Sequence, residues 1–392
     1  MELFLNSMMI DMKRVVNRTM KKVLFTATVD SHILNFHLPF LKFFKDNGYE
    51  VHVATNGDEQ IPYCDYKHVI SLERSPFKIK NIKAIFELKK ICEKEKFDII
   101  HTHTPMGSVV TRLAANKYRK KYGTRVIYTA HGFHFYSGAP LVNWLLYYPV
   151  EKYLAKKTDT MILINQEDYM LAKKNFSKKC KDIQYVPGVG INIDKFKNES
   201  NLIIRKQLGL SDKSFIMTCV ARLDKNKNQS FLINVMELLK DENDIYLLLV
   251  GPDELNGYYQ KIVSDKKLDD KVFFLGLRND ISVILNNSDI VVSSSLREGL
   301  PVNIMEAYAC GKPVVALGCR GAKDLISNGE NGFVVDINSD KKMILFADYI
   351  KTLKNDKELY TKISTNNILK IQKYGINKIM FTMKQIYNII EK

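Results

Sequence analysis

No apolar run in the chain reaches the roughly 18 residues that a membrane-crossing helix requires. No amino-terminal segment carries a small-residue cleavage site, so a secretory leader is not expected. Cysteine pairing is missing as well. Cys64, Cys92, Cys180, Cys219, Cys310 and Cys319 are scattered, with no Cys-x-x-Cys and no zinc spacing to histidine. That sets aside a disulfide framework and points to a reducing, intracellular compartment. An acidic excess is the last absence: 59 Lys and Arg stand against 43 Asp and Glu, a formal charge of +16. Residues 1–200 hold 32 of those bases against 20 acids, so the excess belongs mainly to the amino half. Such a face suits an acidic partner, phospholipid or nucleic acid, and is equally what solvated lysines of no special role would give.

What is present is an ordinary globular composition, 46% hydrophobic and 26% charged over 392 residues, a length that implies about two domains. Residues 1–19 precede a further methionine, Met20, and are expected to be a flexible arm or a mis-assigned start. From Lys21 a βα rhythm begins. It runs through a strand to Ala27, a helix over Phe36–Phe44, a strand over Tyr49–Ala54, helices at 80–96 and 107–121, and strands at 98–101 and 125–129. A strand at 160–164 and a helix at 166–175 follow, and Pro187-Gly188-Val189-Gly190 then ends the first sheet. The rhythm restarts at Phe215 and continues to closing helices at 341–354 and 357–390. Repeated βα units predict doubly wound parallel sheets, which bind ligands beyond the carboxyl ends of their strands.

The richest stretch is Ser293 to Ala316. Asp289–Val292 reads as a buried strand, Pro301 opens a helix to about Ala309, Gly311-Lys312-Pro313 stops it, and Val314–Ala316 is the next strand. The amides of residues 299–302 then point out of a helix N-terminus, a ready phosphate site. Glu298 and Glu306 flank it. Carboxylates repel phosphate, so they are expected to hold the neutral parts of a ligand, sugar hydroxyls for one and ribose hydroxyls for the other. A nucleotide-sugar meets that demand. After the first strand of the second half come Arg222 and Lys227, a bidentate group and a point charge suited to a departing diphosphate.

Glu298-Gly299-Leu300-Pro301 followed by Glu306, together with Gly311-Lys312-Pro313 and Gly329-Glu330-Asn331-Gly332-Phe333-Val334-Val335, resembles the two-glutamate motif of the retaining family 4 glycosyltransferases. The resemblance implies the GT-B architecture, two Rossmann-like α/β domains whose parallel sheets face a central cleft. On this division residues 20–190 form the acceptor-binding domain and 191–370 the nucleotide-sugar-binding domain. Residues 371–392 form a helix packing back on the first domain. The resemblance also implies that Arg222 and Lys227 clamp the donor diphosphate, and that Glu298, Gly299, Leu300, Pro301 and Glu306 hold the donor. Gly276 and Arg278 would lie by the nucleobase, and His131 would be the active-site histidine. His134 is read either as a neighbour of that site or as a cap or packing residue.

The loop after the first strand departs from the family, reading Thr28-Val29-Asp30-Ser31-His32 where many members carry a Gly-Gly pair. Its Ser-His-x-x-x-Phe-His-Leu-Pro form and the His-Gly-Phe-His segment resemble a subgroup making bacterial capsule and exopolysaccharide. Ser31 and His32 would therefore touch acceptor or donor. His101 and His103 share one face of a strand end. Lining the acceptor pocket is the favoured reading, since metal ligation lacks a third ligand of suitable spacing. No Asp-x-Asp triplet of the GT-A kind occurs, and no metal or cofactor is expected.

Val126–Val150 has no Lys, Arg, Asp or Glu, and its second half, Leu141–Tyr148, is apolar with interfacial aromatics. It reads either as a core helix or as an interfacial element meeting a lipid-linked substrate at the inner leaflet. The combined expectation is a cytoplasmic or peripheral, metal-independent transferase. It would move a hexose or N-acetylhexosamine from a UDP-sugar to a glycan carried on a polyprenyl diphosphate. A GT-B nucleotide-sugar epimerase is the alternative, and a basic nucleic-acid-binding protein is a lesser one. Nucleic acid is not an expected partner, because that reading leaves Glu298 and Glu306 without a task.

Overall fold

The computed structural model describes residues 20–196 and 203–389, so the expected arm at 1–19 lies outside the described residues. In the amino domain the order is β1 (Lys22–Val29), α1 (Asp30–Phe36), α2 (Leu38–Asp46), β2 (Glu50–Asn56), β3 (Tyr66–Val69), α3 (Lys80–Glu95), β4 (Ile99–Thr102) and α4 (Pro105–Tyr122). It continues with β5 (Arg125–Ala130), α5 (Leu141–Leu154), β6 (Thr160–Leu163), α6 (Gln166–Phe176) and β7 (Asp182–Tyr185). These strands form one sheet, β3-β2-β1-β4-β5-β6-β7, with every pairing parallel.

The carboxyl domain comprises α7 (Ile203–Gln207), β8 (Phe215–Val220), α8 (Gln229–Leu238), β9 (Ile245–Val250), α9 (Tyr258–Asp265), β10 (Val272–Gly276), α10 (Ile281–Asn287), β11 (Ile290–Ser293), α11 (Val302–Ala309), β12 (Val314–Leu317), α12 (Arg320–Leu325) and β13 (Phe333–Val335). Helices α13 (Lys342–Asn355), α14 (Lys357–Ile371) and α15 (Ile376–Tyr387) complete it. Its sheet, β10-β9-β8-β11-β12-β13, is parallel throughout.

Central strands such as β1, buried from Val23 to Thr28, are apolar on both faces because helices cover both faces of a parallel sheet. The strand order reverses between β1 and β4 in one sheet and between β8 and β11 in the other. Crevices open beyond the carboxyl ends at such reversals. The segments after those four strands carry Ser31–His32, at the start of α1, and His103–Thr104, Arg222–Lys227 and Glu298.

Three expectations are corrected. The helix expected over Phe36–Phe44 is two helices broken at His37, with Pro39 in the first turn of the second. Three edge strands, β3, β7 and β13, escaped the sequence reading; β3 is largely solvent-facing and carries little apolar signal. The final helix expected over 357–390 is also broken, by a 3₁₀ turn at Gln372–Tyr374 and by Gly375. There the chain crosses beside the interdomain linker: Ile191 N–H donates to the Tyr374 carbonyl at 3.0 Å, and Ile376 N–H to the Ile191 carbonyl at 2.8 Å. A Cβ at position 375 would lie 2.8 Å from Ile193 Cδ1, so glycine lets the two segments meet. Beyond it, Ile379, Met383, Ile386 and Tyr387 of α15 pack into the amino-domain core with Val23, Phe25, Phe40 and Phe44.

Candidate active site

Both domains line a cavity of about 600 Å³ in the cleft. His32, His131 and Ile164 come from the amino domain, and Lys227, Glu298, Gly299, Leu300, Pro301 and Glu306 from the carboxyl domain. Glu298 ends the loop after β11, and Pro301 caps α11 with extended backbone geometry. The first amides of α11 therefore have no acceptor within their own helix and face the cavity lining. At Gly299 the backbones of the two domains lie close together: a Cβ there would lie 2.0 Å from the His131 carbonyl oxygen.

Lys227 Nζ donates to Glu298 Oε1 at 2.5 Å, so cation and carboxylate are paired beside the helix N-terminus. Glu306 sits about a turn further on, and burial pushes its carboxyl up to about 7. It also borders a neighbouring cavity of about 850 Å³ that reaches Asn279, Ile281 and Ser282. That is where the segment after β10 enters the cleft. Gly276 and Arg278 line none of the cavities described here, and Arg278 turns aside to Asp280, its Nε donating to Oδ1 at 2.7 Å.

Arg222 lines a different space, an open cavity of about 940 Å³ on the amino side, and is held by Glu254 at 2.8 Å and Asp224 at 3.4 Å. The clamp residues are thus apart: Lys227 in the inner cavity, Arg222 at the outer one. The outer cavity also takes in Ser31, His32, Thr104, His134, Tyr147 and Glu151. Burial and neighbouring cationic groups hold His32 and His134 down at about 4. His131 is held well below its ordinary value by burial and nearby imidazoles. His103 is buried, lines neither of these cavities, and meets the site through the imidazoles that do, its Nδ1 3.3 Å from His131 Nε2 and its ring 5.9 Å from that of His32. His101 is further removed, bonded to Tyr387 Oη and Thr129 Oγ1 at 2.8 Å each.

The face of α5 is not core. Leu141 is 81% and Leu145 75% exposed, while Trp144, Tyr147 and Tyr148 pack inward against Phe135 and Phe176. Across the outer cavity, Phe77 and Ile79 are 81% and 82% exposed. Phe77, Leu146 and Val150 line its mouth, and Arg112, fully buried, anchors Glu151 beneath it with bonds of 2.5 and 3.0 Å.

One device had no sequence signal. Arg320, opening α12, donates across the cleft to Asp168 Oδ1 at 2.7 Å and to the Phe133 carbonyl at 2.8 Å, while its Nε reaches the Glu298 carbonyl at 3.1 Å. Asp168 also accepts from Phe133 N–H at 2.9 Å, and Asp324 accepts from Gln166 N–H at 2.7 Å. These contacts lock the His131–Phe133 loop against the Glu298 loop.

Residues 22–165 match the family model described as Glycosyl transferase 4-like, and residues 200–370 that of Glycosyl transferases group 1. EpsD of Bacillus subtilis, a putative glycosyltransferase, is 40% identical over 94% of this chain and 96% of its own. An Escherichia coli UDP-Gal:alpha-D-GlcNAc-diphosphoundecaprenol alpha-1,3-galactosyltransferase is 31% identical over 79% of this chain and 80% of its own. The crystal structure of Anabaena HepE in complex with UDP matches with a TM-score of 0.76 at 20% identity, covering 94% of this chain and all of that one, which shows the GT-B fold. With two α/β domains, a cleft between them and these relatives, the chain belongs to the group 1 glycosyltransferases.

Proposed function

We propose that this transferase moves a hexose or N-acetylhexosamine, with retention of configuration, from a UDP-sugar to a hydroxyl of a glycan carried on a polyprenyl diphosphate. The reaction belongs in capsule or exopolysaccharide assembly at the inner face of the plasma membrane. The observation that carries this reading is the Lys227–Glu298 pair at the N-terminus of α11, facing His131 across the cleft.

In it, Glu298 accepts from donor-sugar hydroxyls and Glu306 from ribose hydroxyls. Lys227 and the first amides of α11 stabilise the diphosphate as it leaves and gains charge, with Arg222 closing from the outer cavity. These groups carry the diphosphate charge without a divalent ion. No carboxylate is assigned as a nucleophile. The departing diphosphate itself draws the proton from the acceptor hydroxyl on the face it vacates, and His131 positions the sugar.

The outer cavity takes the acceptor. Its apolar mouth between Phe77 and Leu146 suits a polyprenyl chain, and Lys152, Lys156 and Lys157 beside α5 suit anionic headgroups. No described helix is long and apolar enough to cross a membrane. The relatives support the donor and acceptor classes: the Escherichia coli enzyme is named for a UDP-sugar and a diphosphoundecaprenol acceptor.

The test is transfer from UDP-sugars to a polyprenyl-diphosphate-linked sugar in anionic vesicles with EDTA, with the anomeric configuration of the product read by NMR. An α-linked product is expected. A β-linked product, or release of free sugar alone, would remove the retaining transfer.

A further inference from the structure

All eight histidines lie in the amino domain, and four of them meet at one point. One ring nitrogen from each of His32, His37, His103 and His131 lies within 4.8 Å of all the others. The four come from three places: the broken helix after β1, the end of β4 and the end of β5. His131 Nε2 stands 3.3 Å from both His32 Nε2 and His103 Nδ1. In a tetrahedral zinc site with Zn–N of about 2.0–2.1 Å, neighbouring ligand nitrogens are about 3.3–3.4 Å apart. The two His131 pairs stand at that spacing, and the remaining pairs lie within 4.8 Å.

A second observation comes from hydrogen bonding. Neither ring nitrogen of His37 has a partner, nor does His103 Nε2, and both residues are buried. Leaving a buried polar atom unsatisfied costs about 1–3 kcal/mol, and native folds rarely keep such atoms. Here three of them fall within one four-imidazole cluster. Hydrogen bonds among the rings do not account for it, since the N···N distances are long and His37 makes none.

We propose that His32, His37, His103 and His131 form a site for a borderline transition-metal ion, zinc above all, and that filling it inhibits transfer. The donor set is nitrogen alone, which suits zinc, cobalt, nickel or copper and not magnesium or calcium, which take oxygen. Entry is from the cleft, because His32 and His131 line the cavity of about 600 Å³. Resting on the reading of His131 as the donor-facing histidine, the inhibition follows from geometry. An ion held by His131 Nε2 withdraws that nitrogen, with His32, from the sugar.

The experiment has an arm that does not depend on activity. The untagged chain, stripped with EDTA and dialysed, is equilibrated with zinc and its content measured by elemental analysis, and cobalt is followed by its visible absorption. One zinc per chain and the intense visible bands of tetrahedral cobalt are expected. His37→Asn, which touches neither cavity wall of the donor, is expected to weaken zinc binding roughly 10- to 100-fold and to raise the zinc concentration giving half inhibition by the same factor. Its rate in EDTA should stay within about twofold of wild type, the margin expected when no transition-state contact is removed. His103→Gln serves as a second variant should His37→Asn fold poorly, with melting curves for both. No zinc retained, or equal retention by wild type and both variants, overturns the site. Stoichiometric zinc without inhibition overturns the inhibitory role while leaving the transferase reading intact.

Discussion

The two walls of the cleft are built from opposite chemistry. The carboxyl-domain wall is charged: Lys227, Glu298 and Glu306 gather at the start of α11, with Arg222 at the rim. The amino-domain wall is made of imidazoles that burial keeps neutral, of backbone, and of an apolar helix facing outward. A diphosphate leaving group needs cations, and a glycan on a lipid needs neutral polar groups and apolar cover. On the proposed function, this division of charge would sort the two substrates to two domains, and the domains would have to be held together for transfer to occur.

The contrast can be broken most forcefully at the lock between the walls. Arg320→Ala leaves Asp168 as a buried, uncompensated carboxylate, and loss of one partner of a buried pair costs about 3–5 kcal/mol. A marked fall in melting temperature with a raised donor KM is expected; a melt within a degree of wild type would show that the lock bears no load.

On the charged wall, Lys227→Ala is expected to lower turnover by roughly 100-fold, the usual loss of one transition-state charge stabiliser. An unchanged kcat would remove the proposed clamp. The effect should be larger than that of Arg222→Ala, because Arg222 stands in the outer cavity.

Glu306 gives a pH signature. Its carboxyl is raised from 4.5 to about 7 by burial, so the folded chain holds a proton that the unfolded chain releases. The stabilisation is complete below about 4.5 and is lost as pH rises through about 7. Glu306→Gln should therefore be more stable than wild type at pH 8, by on the order of 2 kcal/mol, and indistinguishable near pH 4. Equal melting of the two chains across that range would refute the assignment. Donor binding should weaken in the same variant.

The smallest effect sharpens the apolar side. Leu141→Ser with Leu145→Ser is expected to reduce cosedimentation with anionic vesicles several-fold, since each removes exposed side-chain area worth roughly 1–2 kcal/mol on burial in lipid. The rate with a short-chain, water-soluble acceptor should not change. A parallel loss with both acceptors would place α5 in the fold and not at a membrane.

Local pattern made the sheets legible, because buried parallel strands such as β1 and β11 are short unbroken apolar runs. The Glu298 to Glu306 stretch was legible for the same reason, a strand, a loop and a capped helix in one continuous segment. What assembles across the chain was not. The Arg320–Asp168 bond joins residues 152 apart in sequence, and His32 meets His131 across 99. No spacing rule registers such distances, which is why the imidazoles gathered beside His103 were not visible in the sequence and His37 went unassigned. The break at Gly375 was hidden too, since helical periodicity continues on both sides while the reason for the break, the linker at Ile191, lies far upstream. Arg278 has a local partner that the motif did not reveal: two residues on, Asp280 holds its guanidinium.

The central claim is that the charged wall holds a UDP-sugar without a divalent ion. The most direct test is thermal melting of the chain with UDP-, GDP-, ADP- and TDP-sugars in EDTA, for wild type and Lys227→Ala. The account predicts that a UDP-sugar alone raises the melting temperature of wild type, and that the shift shrinks or vanishes in Lys227→Ala. A shift that appears only when magnesium or manganese replaces EDTA, or one equal in both chains, would contradict it.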